Sequence, residues 1–394
     1  MHKSKIKYGA TVFFVFSYFF TGILSYIPAV SGIKYLGLII VESFLIVSLN
    51  GRMIRLKSIT TVFFLYQLFL IFVTLFRGYS VNNCQASIQM CFSLWLVKSI
   101  VKENGVKIFF RGAYDVCRIM FPVNLIVCIL FKNGIIVGDN GVGIYLLGNR
   151  NTMGSSTIAL IIMCLLYSLL YFGKIIGTVR MVCFLGASSC FITWSATTII
   201  ALFVIFVCLI FQHTKQVSWI IKMVNVKSSL FVGIMLFVSI NIMRMQTYFS
   251  FIIERVLHKT INFSARTYVW DKALEIIPQH WGVGYGFYSS TILSTNYFTP
   301  ANTHSFFFEV IVTGGVVGLL FMFLLFKMFS DSLKYMNNPP VKKILNLYFL
   351  LIMITGVSEA TNLNLCLYLF MVVANEWPDT LSKMRRDLKF VLLK

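Results

Sequence analysis

Apolar runs of helix length follow one another along this chain with only short basic segments between them, and that repetition limits what it can fold into. About twelve stretches qualify, at 8–30, 35–49, 59–76, 84–101, 113–131, 152–172, 181–194, 196–211, 228–243, 304–326, 344–358 and 363–375. A hydrocarbon core of about 30 Å needs about 20 apolar residues per helix, and fewer where helices are short. Hydrophobic residues make up 58% of the 394, charged residues 12%, and the mean hydropathy is +0.83, values that exclude a soluble globular domain. The expected class is therefore all-α, a polytopic integral membrane protein of about 12 transmembrane helices. It reads as one transmembrane domain over 1–394, without internal repeats.

The net charge of +21 would suggest nucleic acid as a partner in a soluble protein. Here topology accounts for it, and no nucleic-acid partner is expected. With the N-terminus inside, 24 of the 34 Lys and Arg residues fall on inner segments and 9 on outer ones, Arg118 lying within a helix. By the positive-inside rule both termini are cytoplasmic. The nine outer cations are Lys34, Arg77, Lys132, Arg150, Arg244, Arg255, Lys259, Arg266 and Lys272, and they stand against the bias. All nine cysteines lie in or beside apolar helices without CxxC spacing, so they read as small core residues, with neither disulfide nor metal site. The first apolar run is too long for a signal-peptide core and lacks a clear cleavage site, so it is expected to stay as a helix.

Two outer loops carry content. The first, 132–151, holds five glycines. The second, 244–303, is the large extracytoplasmic loop and returns to the membrane through Asn302-Thr303-His304-Ser305-Phe306. Within it, residues 266–277 have an amphipathic helical period. Val269, Trp270, Ala273, Leu274 and Ile277 form the apolar stripe, Ser264 is a candidate N-cap and Pro278 stops the helix. Such a helix would lie flat among lipid headgroups. Gly282, Gly284 and Gly286 then make a turn unlike a dinucleotide fingerprint. The basic, amphipathic tail 381–394 is expected on the anionic inner leaflet.

Arg266 and His304 are the leading candidates for chemistry. A guanidinium binds phosphate bidentately and stays charged, and an imidazole can take a proton from a sugar hydroxyl. The plainer alternative is a headgroup contact and a helix cap. His304 is expected in the first turn of the helix 304–326, with Glu309 offset by about 140° around the same axis, lining a cavity or pairing with a basic residue. Glu42 and Glu359 are weaker intramembrane carboxylates. Arg150, before an outer helix entry, is a candidate phosphate clamp, with Asn151 beside it; Arg77, Arg244 and Arg255 are further outer cations. Trp270, Trp281, Tyr285 and Tyr288 would stack on sugars or serve as interfacial aromatics. Arg111, Asp115 and Arg118 share a face at the cytoplasmic end and read as an ion-pair cluster. Neither a DxD-type carboxylate cluster nor a phosphate-binding P-loop is present.

Taken together, Phe263 to Trp270 with Arg266, then Pro278, the glycine turn 282–286, then His304-Ser305-Phe306-Phe307-Phe308-Glu309 and Gly314-Gly315-Val316-Val317-Gly318 resemble the C-terminal signature of the O-antigen ligase/polymerase family. Asn149 to Gly154 is similar to an upstream element, and Thr193 to Thr197 resembles a Ser-Arg element in which Ala196 replaces the arginine; Arg150, Arg77 or Arg244 could substitute. The resemblance implies a C-type membrane glycosyltransferase that uses undecaprenyl-diphosphate-linked oligosaccharide on the outer face of the bacterial inner membrane and needs no metal or other cofactor. It implies that Arg266 holds diphosphate and His304 assists the acceptor hydroxyl. Expected partners are that lipid-linked substrate, membrane lipids, and the chain-length regulator and flippase of the same pathway. The reading is a polymerase for O-antigen, capsule or exopolysaccharide; alternatives are a ligase to a terminal acceptor, or a flippase or transporter, the last disfavoured by the lack of inverted repeats.

Overall fold

A computed structural model describes residues 2–49, 58–138, 142–210, 219, 221–245, 248, 251, 266–288, 290–294 and 302–378. Arg255, Lys259, Ser264 and the tail 381–394 lie outside the described residues. The helices are α1 (His2–Val15), α2 (Pro28–Ser48), α3 (Ile59–Phe76), α4 (Gln85–Val101), α5 (Val106–Leu130), α6 (Arg150–Phe172), α7 (Gly177–Ile192), α8 (Ala196–Ile210), α9 (Val226–Phe237), α10 (Arg266–Ile276), α11 (Phe306–Tyr335), α12 (Pro339–Thr355) and α13 (Leu365–Asn375). Each apolar run of the sequence after the first reappears as a helix. Six helices are long and apolar enough to cross a membrane among the described residues; α7, α8, α9 and α13 are shorter apolar helices.

The first run departs from expectation. It is not one helix over 8–30: α1 gives way to a π-turn at Phe16–Phe20 and a 3-10 turn at Gly22–Tyr26, and Pro28 heads α2. Proline is pre-set for the first helical turn, where its missing N–H costs nothing. Lys34 therefore sits in the opening turns of α2 rather than in a loop.

Burial follows from which helices are apolar all round. Every residue of α13 is buried, as expected for a short helix with no polar face. It packs against α4 and α11, while α5 packs against α1, α6 and α7. By contrast α2 exposes Leu36, Ile40, Phe44 and Val47 along one stripe and buries Glu42 and Ile46 on the other. An exposed apolar stripe of this length suits lipid. The glycine-rich loop folds into an antiparallel meander of β1 (Ile136–Val137), β2 (Gly143–Tyr145) and β3 (Gly148–Asn149), with Ile144 opposite both Ile136 and Asn149. It leads directly into α6, where Asn149 Oδ1 accepts from the Thr152 amide at 2.9 Å.

Candidate active site

The site is built on a broken helix. In α11, Gly315 adopts φ 57° and ψ −151°, which interrupts the helical ladder. The freed groups are taken by the glycine turn that follows α10. Tyr285 and Gly286 amides donate to the Val312 and Thr313 carbonyls, both at 2.8 Å. Val316 and Val317 amides donate to the Trp281 and Gly282 carbonyls at 2.9 and 3.2 Å. Two backbones can approach so closely only where a Cβ is missing. A Cβ on Gly284 would lie 2.6 Å from the Thr313 carbonyl, and one on Gly315 would lie 2.6 Å from that of Gly282. On the far side, the Phe287 amide donates to Thr74 Oγ1 at 2.8 Å, which ties the turn to the end of α3. Gly284 and Gly286 thus serve backbone docking.

The same docking fixes the re-entry into α11. Thr303 donates to Glu309 Oε2 through both its amide and its hydroxyl, each at 2.8 Å, and Tyr288 donates to both Glu309 oxygens at 3.1 Å. Burial, and then the adjacent Glu309, pushes the Tyr288 phenol well above its ordinary range, so it stays a donor. Trp270 Nε1 donates to the Thr303 carbonyl at 3.0 Å. With Thr303 clamped on three sides, His304 is presented in the left-handed region at φ 50°, and its amide donates to Asn302 Oδ1 at 2.9 Å. α11 begins only at Phe306, so His304 precedes the helix rather than opening it. That conformation costs a non-glycine residue about 1 kcal/mol.

Arg266, the first residue of α10, reaches the end of α12. Its Nη1 donates to the Ser358 carbonyl, and its Nη2 stands 2.9 Å from Glu359 Oε1. Arg266 and His304 are brought together: burial first, and the Arg266 charge second, lower the His304 pKa to about 3. The imidazole is therefore neutral throughout the physiological range. The Ser195 turn between α7 and α8 joins the same place, with Thr197 Oγ1 3.4 Å from Ser358 Oγ. Thr198, one residue on, packs where a Cβ on Gly154 of α6 would fall. The turn that carries Ala196 thus meets Ser358, whose carbonyl Arg266 holds, and α6 at Gly154.

The remaining candidates divide between structural contacts and positions that only the backbone fixes. Arg244 Nη2 bonds to Asp271 Oδ1 at 2.5 Å and to the Thr267 carbonyl, and its guanidinium lies 5.2 Å from the Trp270 ring centroid. Arg77 contacts His280 Nε2 at 3.3 Å and the Gly284 carbonyl at 3.5 Å; burial and the Arg77 charge lower the His280 pKa. Trp270 is fully buried, so it cannot stack on a sugar, and Tyr285 is buried with its hydroxyl on the Ile276 carbonyl. Trp281 is exposed, as is Leu274, which leaves the expected apolar stripe. Glu309 is buried and accepts from Thr303 and Tyr288, the acceptor that the re-entry backbone needs. Arg150 and Asn151 stand in the first turn of α6.

Two residues gain weight from the structure. Glu359 becomes the partner of Arg266, and Lys34, counted in the sequence as an outer loop charge, enters a cavity of about 330 Å³ that also reaches Asn302 and Glu359. The signal for Lys34 was an isolated cation between two apolar runs. Its depth depends on where α1 breaks, which periodicity does not reveal.

Residues 181–323 match the family model described as O-antigen ligase. The match runs from α7 to the far side of the Gly315 kink and contains Arg266, His304, Glu309 and the glycine turn. Over this segment the match supports the O-antigen ligase/polymerase family. No curated protein matches the chain.

Proposed function

We propose that this membrane protein is a glycosyltransferase that polymerises undecaprenyl-diphosphate-linked oligosaccharide units into a surface polysaccharide. The observation that carries the reading is the Arg266 charge standing near enough to lower the pKa of His304, which the re-entry of a broken helix presents. In the reaction, an acceptor hydroxyl oxygen forms a bond to the anomeric carbon of the donor chain. The bond from that carbon to the diphosphate oxygen breaks, and the leaving oxygen keeps the electron pair. Arg266 offsets that charge. The hydroxyl proton passes to the His304 ring. Diphosphate beside Arg266 also cancels part of the charge that depresses His304, so the imidazole becomes more basic when its substrate is bound. Arg150, at the start of α6, is proposed as a second clamp in place of the arginine missing at Ala196.

A ligase that transfers the finished glycan to a terminal acceptor is the second reading, favoured by the description of the matching family model. The two differ only in the acceptor. Surface glycan from a deletion strain separates them: loss of every chain longer than one unit, with single units still attached, means polymerase. The reaction is placed on the outer face of the bacterial inner membrane, with both termini inside. A cysteine at Ser290 should then react with an impermeant maleimide in intact spheroplasts. Eight of the nine native thiols are buried, which keeps the background low. Labelling only after permeabilisation would reverse the topology and sink the reading.

A further inference from the structure

The cavity of about 330 Å³ adjoins the Arg266–His304 pair without containing it. Two of its wall residues are the direct partners of that pair: Asn302, which holds the His304 amide, and Glu359, which pairs with Arg266. The opposite wall is formed by the first turns of α2 and α6 and by the start of α4. The size fits a small ligand. The lining is rich in hydroxyls and amides, among them Gln89, Thr152, Ser156 and Asn364. These groups both donate and accept, which suits a polyhydroxylated ligand.

Lys34 gives the cavity its charge. Its ammonium donates to the Thr21 carbonyl at 3.0 Å and to Ser25 Oγ at 2.7 Å. Of its three N–H groups, the third has no acceptor among the described residues. Among the described lining residues the only carboxylate is Glu359, and that is committed to Arg266. A half-buried ammonium with neutral partners, and no counter-ion among the described residues, favours an anion. The cavity thus joins a cation that has no counter-ion among the described residues to a set of hydroxyls and amides beside the reacting pair.

We propose that this cavity is the acceptor subsite, holding a sugar through its hydroxyl and amide lining and an anionic group of that saccharide on Lys34. The assignment of the sugar as acceptor rests on the function proposed above: the donor diphosphate is assigned to Arg266, whose partner Glu359 shares the cavity wall with Lys34. Two anions share the required chemistry, the phosphate on the anomeric carbon of a lipid-linked unit and the carboxylate of a uronic acid.

The test is ligand-observed NMR on the full-length protein in nanodiscs with glucose, glucose 1-phosphate and glucuronic acid. At least one of the two anionic sugars should bind about tenfold more tightly than glucose, as a charge-assisted hydrogen bond gives, and which one does so identifies the anion. Lys34→Met should erase that preference while glucose binding persists, and Lys34→Arg should keep it. Ala86→Trp, which fills the cavity from an exposed position at the start of α4, should abolish binding of all three sugars. The proposal is overturned if neither anionic sugar outbinds glucose, or if Lys34→Met, eluting as a folded protein, retains the preference. His304→Gln separates the two readings. It should still bind the anionic sugar; binding without polymerisation in the wild type would sink the function and leave the subsite.

Discussion

Arg266 Nη2 stands 2.9 Å from Glu359 Oε1 while Nη1 of the same guanidinium holds the Ser358 carbonyl. One planar fork thus joins the start of α10 to the end of α12, and the residue beside which it does so is His304. A lysine can reach one of these acceptors but cannot span both. Arg266→Lys should therefore lower kcat/KM by about 100-fold or more, the usual cost of a misplaced charge stabiliser. Glu359→Gln keeps an acceptor oxygen for Nη2, so its loss should stay within about tenfold. Both values come from assays with lipid-linked repeat units and purified protein. Equal activity of Arg266→Lys and wild type would reduce Arg266 to a surface charge.

The interlock of the glycine turn with the Gly315 kink makes a second prediction, about stability. Gly284 has φ +71° and Gly315 φ +57°, and the Cβ of an alanine at either would strike the backbone of the other segment. Gly284→Ala and Gly315→Ala should each destabilise the protein by more than about 2 kcal/mol. Gly282 lies in the same turn, yet nothing is within 4 Å of its added Cβ. Gly282→Ala should therefore leave the thermal unfolding midpoint in detergent almost unchanged. Similar losses at Gly282 and Gly284 would show that the turn does not dock as described.

The helices were legible in the sequence because a bilayer demands long apolar runs, and their limits were legible wherever a polar residue or proline stood at the boundary. The break in the first run was not, since Ser17, Thr21 and Ser25 are single small polar residues among Phe, Ile and Leu, a pattern that an apolar helix also tolerates. Arg266 and His304 could be singled out because a cation and an imidazole are conspicuous in such a chain. Their neighbours were harder to read. Glu309 looks like a cavity-lining carboxylate from its place in an apolar helix, but its role depends on Thr303 and Tyr288, which reach it only through the folded loop. Trp270 and Tyr285 look like interfacial aromatics until the packing of α10 encloses them. Side chains that bond across segments distant in sequence leave no periodic trace.

Glu309 holds the segment that presents His304. It accepts from the Thr303 amide, the Thr303 hydroxyl and the Tyr288 hydroxyl, and so fixes the backbone one residue before the imidazole. Glu309→Gln would turn an NH2 group toward one of those donors, at a cost of roughly 2 kcal/mol. The expected result is a lower unfolding midpoint together with a fall in kcat, because the imidazole is misplaced, while KM for the donor changes little. A variant with normal kcat and normal stability would remove Glu309 from any positioning role.

His304 makes the last prediction, and its sign follows from the pKa. A general base works in its neutral form, so activity falls as pH drops through the pKa of the group. An ordinary histidine, at about 6.5, would lose half its activity near that pH. Burial and the nearby Arg266 lower His304 to about 3, so it should remain neutral well below pH 6. The profile of kcat/KM, which reports the free enzyme, should therefore be flat from about pH 5 to 8. Stability moves as well. Between the folded value and the ordinary one, the unfolded chain binds a proton that the folded chain refuses, so this residue costs stability as pH falls below about 6.5. His304→Gln should abolish polymerisation and also remove that part of the pH dependence of unfolding, a change that a catalytic defect alone would not produce. An acid limb near pH 6.5 in the wild type that disappears in no variant of His304 would assign the base elsewhere, and an active His304→Gln protein would end the assignment outright.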